Sequence, residues 1–338
     1  MRIPVPIASS WSRPYGCAVT SPTVLADEIA AVIAADYDVP EPVTCTFLRH
    51  GFNDHFRAHT ADGELHIRLY LEGKYYVGGD ADLDFELRAA FELADAGCAV
   101  ARPVPRRDGA LLTLAELGGR TRRLAILELA PGDVQSELTV EAAHALGAAV
   151  GQLHREADRW STDEPRYHLD ERYLLDQPVA LLGELASEST ESDVAALATL
   201  ATEARAILAG LPRDRPSYGL IHADLHLGNI HFVDDTTFAI FDFDHCAFGW
   251  RAYDLAPLRM SFDDARWEQA LAGYERHAPV PAGVEHIDAF TKMRMLWDIG
   301  DILAMRTAWE RDEVTEKVRE NLPKIIEQVL LGPSARHQ

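Results

Sequence analysis

The chain has 338 residues, 47% of them hydrophobic, enough for a sizeable core divided between two lobes. With 54 acidic against 32 basic residues its formal net charge is −22, which argues against wrapping a nucleic-acid backbone or adhering non-specifically to an anionic membrane. Residues 1–16, "MRIPVPIASSWSRPYG", lack the apolar core of a signal peptide, and no apolar run reaches membrane-spanning length; a soluble cytoplasmic protein is expected. Cys17, Cys45, Cys98 and Cys246 are scattered without a CxxC or a zinc-type spacing and read as reduced structural thiols.

In "SPTVLADEIAAVIAADY" an N-cap signal at Ser21 and helical apolar spacing predict a helix. Strand-like stretches follow: "VTCTFLRHGFN", "DHFRAHT", and "ELHIRLYL" after the Asp62-Gly63 turn signal. Residues 82–97 have helical spacing and stop at Gly97, and further strands are expected at 110–116 and 122–129. This order fits a small antiparallel sheet carrying a helix on one face. At "ELAPGD" (128–133) the pattern changes: 139–157, 190–210, 263–277, 286–309 and 311–330 all show helical periodicity. The expectation is a bilobal α+β chain, with a β-rich N-lobe and amino-terminal extension over 1–127, a hinge at 128–133 and a mainly helical C-lobe over 134–338.

One strand–loop–strand interrupts the helical half: residues 220–244, "LIHADLHLGNIHFVDDTTFAIFDFD". His222, Asp224, His226, Asn229, Asp242 and Asp244 stand there between apolar runs. A carboxylate set between apolar flanks is costly to desolvate unless it is paired, bound to metal or used in chemistry. Asn229 follows Asp224 by five positions, and Asp242 ends the next apolar run. The protein-kinase catalytic loop has this form, H-R-D-x-x-x-x-N and then a metal-binding Asp. Phosphoryl transfer asks for one carboxylate at the attacking hydroxyl, and for an amide oxygen with a second carboxylate to hold Mg²⁺ on the nucleotide phosphates.

"LIHADLHLGNIHF" with "IFDFDHCAFGWRAYDLA" resembles the aminoglycoside phosphotransferase/choline kinase-like family, which shares the protein-kinase fold, over roughly 45–330. The resemblance implies Asp224 as catalytic base, Asn229 and Asp242 as Mg²⁺ ligands, His222 as a loop-ordering histidine and Asp254 as a brace for the loop. It also implies an ATP- or GTP-dependent phosphotransferase acting on a hydroxyl of a small molecule. His226 occupies the position of a phosphate-facing lysine, and either donates to a phosphate oxygen or orders the loop. Arg68 in "LHIRLYL" falls where kinases place the strand lysine on the α/β-phosphates, and Glu86 is its helix partner. An arginine can serve there because its fork pairs bidentately with phosphate or carboxylate. "HGFNDHFRAH", with Gly51 and Asn53 at the turn, resembles the nucleotide loop of the bacterial branch, and Glu128 to Ala130 sit where a hinge offers backbone groups to adenine.

Other readings stand beside these. Asp244 is either a solvent-facing neighbour of Asp242 or a second metal or substrate contact, and Asp298 and Asp301, three apart on a helix, read as solvated acids flanking an apolar stripe. Trp250, Trp297 and Trp309 read as core rather than as substrate platforms. The same loop suits a Ser/Thr protein or peptide kinase of the bacterial stress-response type, or a nucleotide-binding pseudokinase. "HADLH" also offers the His-x-Asp-x-His of a metallohydrolase, although His144, His154 and His168 supply no HxH or HExxH grouping. The acceptor, the choice of ATP or GTP and the oligomeric state are not legible.

Overall fold

The computed structural model describes residues 21–160, 166–187, 189–306 and 312–332. Cys17, Trp309, residues 307–309 of the helix expected over 286–309, and residue 311 of the last one lie outside them. The chain divides into two compact units, one running to Ala130 and the other from Pro131 onward.

The first unit opens with α1 (Pro22–Asp36), whose N-cap Ser21 accepts from the Thr23 amide at 3.3 Å. Then come β1 (Thr44–His50), β2 (Asp54–Thr60), β3 (Gly63–Leu69), α2 (Asp80–Asp95), β4 (Thr113–Leu117) and β5 (Arg120–Glu128). The strands form one antiparallel sheet in the order β1-β2-β3-β5-β4. Its two faces follow from the period of two along each strand. Phe56, Ala58, Ile67, Leu69, Leu124 and Ile126 meet Leu25, Ala26, Ile29 and Ile33 of α1. The alternate residues Ala125 and Leu127 pack with Leu83 and Leu87 of α2. Arg68, lying between Ile67 and Leu69, therefore points to the α2 face, where Glu86 waits.

The second unit contains α3 (Val140–Ala157), a π-helical turn at Arg172–Asp176 that leads into α4 (Gln177–Gly183), and α5 (Glu191–Gly210). It continues with β6 (Tyr218–Ile221), β7 (Ile230–Phe232), β8 (Phe238–Ile240), β9 (Ala247–Trp250), α6 (Arg251–Ser261), α7 (Asp264–Glu275), α8 (Ile287–Met305) and α9 (Asp312–Leu331). The expected strand–loop–strand resolves into two short ribbons, β6 paired with β9 and β7 with β8. Thr139 and Asp263 cap α3 and α7 through side-chain oxygens on the amides of Ala142 and Arg266. Glycines let these two helices touch backbone to backbone: a Cβ at Gly147 would fall 1.9 Å from the Ala270 carbonyl oxygen, and one at Gly273 2.0 Å from that of His144.

The helix α8 is buried around nearly its whole circumference, from Phe290 through Met293, Leu296 and Ile299 to Leu303. Trp250 and Trp297 are core residues, as expected. Among the described residues no helix is long and apolar enough to cross a membrane.

Candidate active site

Strand β6 ends at Ile221 and delivers the polar loop 222–229 from a buried edge. The loop turns at once, because Ala223 adopts a left-handed backbone at φ 65°, a conformation that costs an alanine about 1–2 kcal/mol. Asp254, in the first turn of α6, holds this turn: its carboxylate accepts from the amides of His222 at 2.7 Å and Ala223 at 2.8 Å. Asp254 also accepts from His154 Nε2 at 3.1 Å, while His154 Nδ1 accepts from the Tyr274 hydroxyl at 2.8 Å. Burial lowers the pKa of His154 and keeps it neutral in that chain. Burial pushes the Asp254 carboxyl up, but the hydrogen bond from His154 and the interactions with His154 and His222 outweigh it and hold the pKa low.

His222 is fully buried, and both its nitrogens are committed. Nδ1 accepts from the Asp224 amide at 3.2 Å, which leaves Nε2 to donate to the Phe241 carbonyl at 3.0 Å. His226 Nδ1 accepts from the Gly228 amide at 2.9 Å, so its hydrogen sits on Nε2, 3.7 Å from Asp224 Oδ2. A His-x-Asp-x-His metal site needs imidazole lone pairs that these bonds already use. Among the described residues no group of three or more His, Cys, Asp or Glu side chains is placed to hold a metal ion.

Asp224 is gripped on both carboxylate oxygens. Oδ2 accepts from Asn229 Nδ2 at 2.9 Å, and Oδ1 accepts from Arg294 Nη2 at 2.5 Å. Burial alone raises its pKa, yet the electrostatic interactions with His226, the Arg294 guanidinium and His245, together with the Arg294 hydrogen bond, outweigh it and hold the carboxyl well below the usual carboxylate range. The Asn229 nitrogen donates to the Asp224 carbonyl as well, at 2.9 Å, so neither bond occupies the amide oxygen. The β7–β8 hairpin sets Ile230 opposite Ile240, and the Phe241 amide donates to the Asn229 carbonyl at 3.0 Å. Asp242 follows directly in a left-handed conformation, φ 70°, that turns the chain sharply beside Asn229.

The structure narrows the readings of three acids. Asp244 is buried, not solvent-facing, with Arg166 Nη2 donating to its carbonyl at 2.7 Å. Asp301 is buried on α8, 3.9 Å from His245 Nε2. Asp298 pairs with Arg294 Nε at 2.7 Å. The solvated-face reading fails for Asp301, which α8 buries, while Asp298 stays partly exposed but is tied to Arg294. Arg294 went unnoticed in the sequence, although an arginine inside the apolar run "MRMLW" with an acid four residues on marks a buried pair.

In the first unit the Arg68 guanidinium donates to Glu86 Oε1 at 2.8 Å, both side chains buried. The Tyr70 hydroxyl donates to the same oxygen at 2.5 Å. Arg68 lies opposite His55 in the β2–β3 register. The Gly51 amide donates to the Asn53 carbonyl at 2.8 Å, closing the β1–β2 turn. Asn53 is only 1% exposed and accepts from the Leu71 amide, so its side chain ties that turn to the end of β3. At the expected hinge the Glu128 amide already donates to the Arg102 carbonyl at 2.8 Å and is not available to a base. Ala130 closes this unit at its last residue.

The model of the phosphotransferase enzyme family matches residues 44–287. A homoserine kinase of Gluconacetobacter diazotrophicus is 30% identical over 258 residues, 72% of this chain and 75% of that protein. An amicoumacin kinase solved in complex with AMP-PNP, Ca²⁺ and Ami superimposes with a TM-score of 0.68 at 22% identity, covering 89% of this chain and 92% of that one. A microcompartment-associated aminopropanol kinase gives a TM-score of 0.66 at 23% identity, covering 89% and 99%. The chain belongs to the phosphotransferase enzyme family.

Proposed function

We propose that this protein transfers the γ-phosphate of ATP or GTP to a hydroxyl of a small molecule, with Asp224 as the base. The observation that carries the reading is the Asp224 carboxylate, presented at a strand end, kept ionised, and oriented by the amide of Asn229 five residues on. Of its roughly four lone-pair sites, Arg294 and Asn229 take two. The others can receive an acceptor hydroxyl, whose proton passes to the carboxylate as oxygen bonds to phosphorus and the nucleoside diphosphate leaving group departs.

Asn229 and Asp242 would hold Mg²⁺. They fit it: hard oxygen donors, one an amide oxygen not engaged by its own group's hydrogen bonds, the other the carboxylate of the left-handed residue next to Phe241, whose amide meets the Asn229 carbonyl. Mg²⁺ supplies charge neutralisation on the phosphate oxygens. On the first unit Arg68, held by Glu86, which Tyr70 also bonds, would contact a phosphate of the nucleotide, with Gly51, Asn53, Glu128 and Ala130 as supports of its loop and hinge. His226 orders the catalytic loop through Gly228, and its Nε2–H, 3.7 Å from Asp224 Oδ2, would donate to a phosphate oxygen. The relatives that carry names, kinases of homoserine, aminopropanol and amicoumacin, favour a small acceptor over a protein or peptide.

The test is ADP release from Mg·ATP, and separately GDP release from Mg·GTP, over a panel of hydroxy amino acids, amino alcohols, sugars, antibiotics and Ser/Thr peptides. At least one small acceptor should yield the nucleoside diphosphate together with its phosphorylated product. Transfer to peptides alone, or nucleotide binding with no transfer to any acceptor, contradicts the proposal.

A further inference from the structure

We infer that Arg294 is a positioning residue for phosphoryl transfer: its guanidinium clamps the carboxylate of Asp224 and the left-handed turn before it to the central helix α8. The inference rests on the reading of Asp224 as base and names a residue that this reading does not require.

The geometry is a three-armed grip. Nη2 donates to Asp224 Oδ1 at 2.5 Å, Nη1 to the Ala223 carbonyl at 2.8 Å, and Nε to Asp298 Oδ1 at 2.7 Å. Ala223 is thereby held from both sides, its amide by Asp254 and its carbonyl by Arg294. A left-handed alanine persists only where its surroundings over-determine it, and these two contacts do so. The guanidinium is itself immobilised: Arg294 is 6% exposed, and it lies 5.2 Å from the Trp297 ring centre and 6.0 Å from that of Tyr253.

An arginine on a general base has two opposing effects. It weakens the base, because the ionised carboxylate is stabilised. It also removes the rotational freedom of the carboxylate and sets its remaining lone pairs. In phosphoryl transfer the transition state is loose and little proton transfer has occurred, so alignment dominates over basicity. The planar fork matters for this role. A lysine at the same place offers one point charge and cannot bridge Ala223 and Asp224 in a fixed plane.

The test compares the parent with Arg294→Met and Arg294→Lys in the full chain, by steady-state kinetics with the acceptor found above and by amide hydrogen exchange. In Arg294→Met, kcat should fall by about 10²-fold, the scale of a misplaced reacting group, while the KM for Mg·ATP stays within about twofold. Arg294→Lys should lie between the two. Exchange should rise about tenfold or more in peptides spanning 222–229, with α3 and α7 unchanged. A kcat within twofold of the parent, parent-like exchange in the loop, or a rise spread evenly over the unit overturns the inference. If Arg294→Met does not fold, Arg294→Lys decides: lowered kcat at a parent-like Tm supports the clamp, and parent-like kcat refutes it. If the parent phosphorylates no acceptor, the proposed function falls, and loop exchange alone decides the clamp.

Discussion

Asp254→Ala removes the acceptor of three buried donors at once: the amides of His222 and Ala223 and Nε2–H of His154. A buried donor left without a partner costs about 1–3 kcal/mol, and relief from burying the carboxylate returns part of the total. The net loss should be about 3–5 kcal/mol, the range for removing one partner of a buried charged network. In a unit of roughly 200 residues each kcal/mol moves Tm by about 2–4 °C. The melting transition of the second unit should therefore fall by roughly 6–20 °C. Differential scanning calorimetry reads this, since a chain of two units need not melt in one transition. Asp254→Asn keeps an acceptor oxygen and should lose less. A Tm for Asp254→Ala within about 2 °C of the parent would refute the brace, because the three donors would then have found other partners.

Asp298 and Asp224 share one guanidinium, and burial with the Asp224 charge pushes the Asp298 carboxyl up from 3.8 to about 6, Arg294 opposing. A carboxyl whose folded pKa is raised binds its proton more readily in the folded protein, so its ionisation lowers stability as pH rises through about 4 to 6. Asp298→Asn, which never ionises, should raise stability by up to about 3 kcal/mol above pH 7 and by little near pH 4; urea midpoints at both pH values check it, and equal effects would contradict it. Arg68→Ala removes the guanidinium that donates to Glu86 Oε1 and should raise the apparent KM for nucleotide about tenfold or more. An unchanged KM would make this pair purely structural.

Much of the site was legible because its chemistry is local in sequence. The five-residue spacing of Asp224 and Asn229 is a property of one loop, and the alternation around Arg68 announces which face of its strand it uses. The long helices were legible from their periodicity. Helix α6 was not: Arg251 and Asp254 in its first turn point inward, and Pro257 interrupts its interior. Arg251 is fully buried because Asp158 pairs with both Nη atoms, at 2.9 and 2.5 Å, and the carbonyls of His154 and Pro216 accept from the same nitrogens. A pattern built on charges facing water cannot anticipate charges neutralised by residues some 93 positions away. Arg294 and Asp301 were hidden for the same reason: Arg294 grips a loop 70 residues earlier and Asp301 faces His245, and only the fold brings these against α8, while Asp298 pairs with Arg294 on its own helix.

The most direct test of the central claim is single-turnover phosphoryl transfer by Asp224→Asn beside its Mg·ATP binding. The asparagine keeps the shape that Arg294 and Asn229 grip on one oxygen but cannot take the acceptor's proton. The account predicts nucleotide affinity within about twofold of the parent and a transfer rate lower by about 10²–10⁴-fold. A transfer rate close to that of the parent would contradict it.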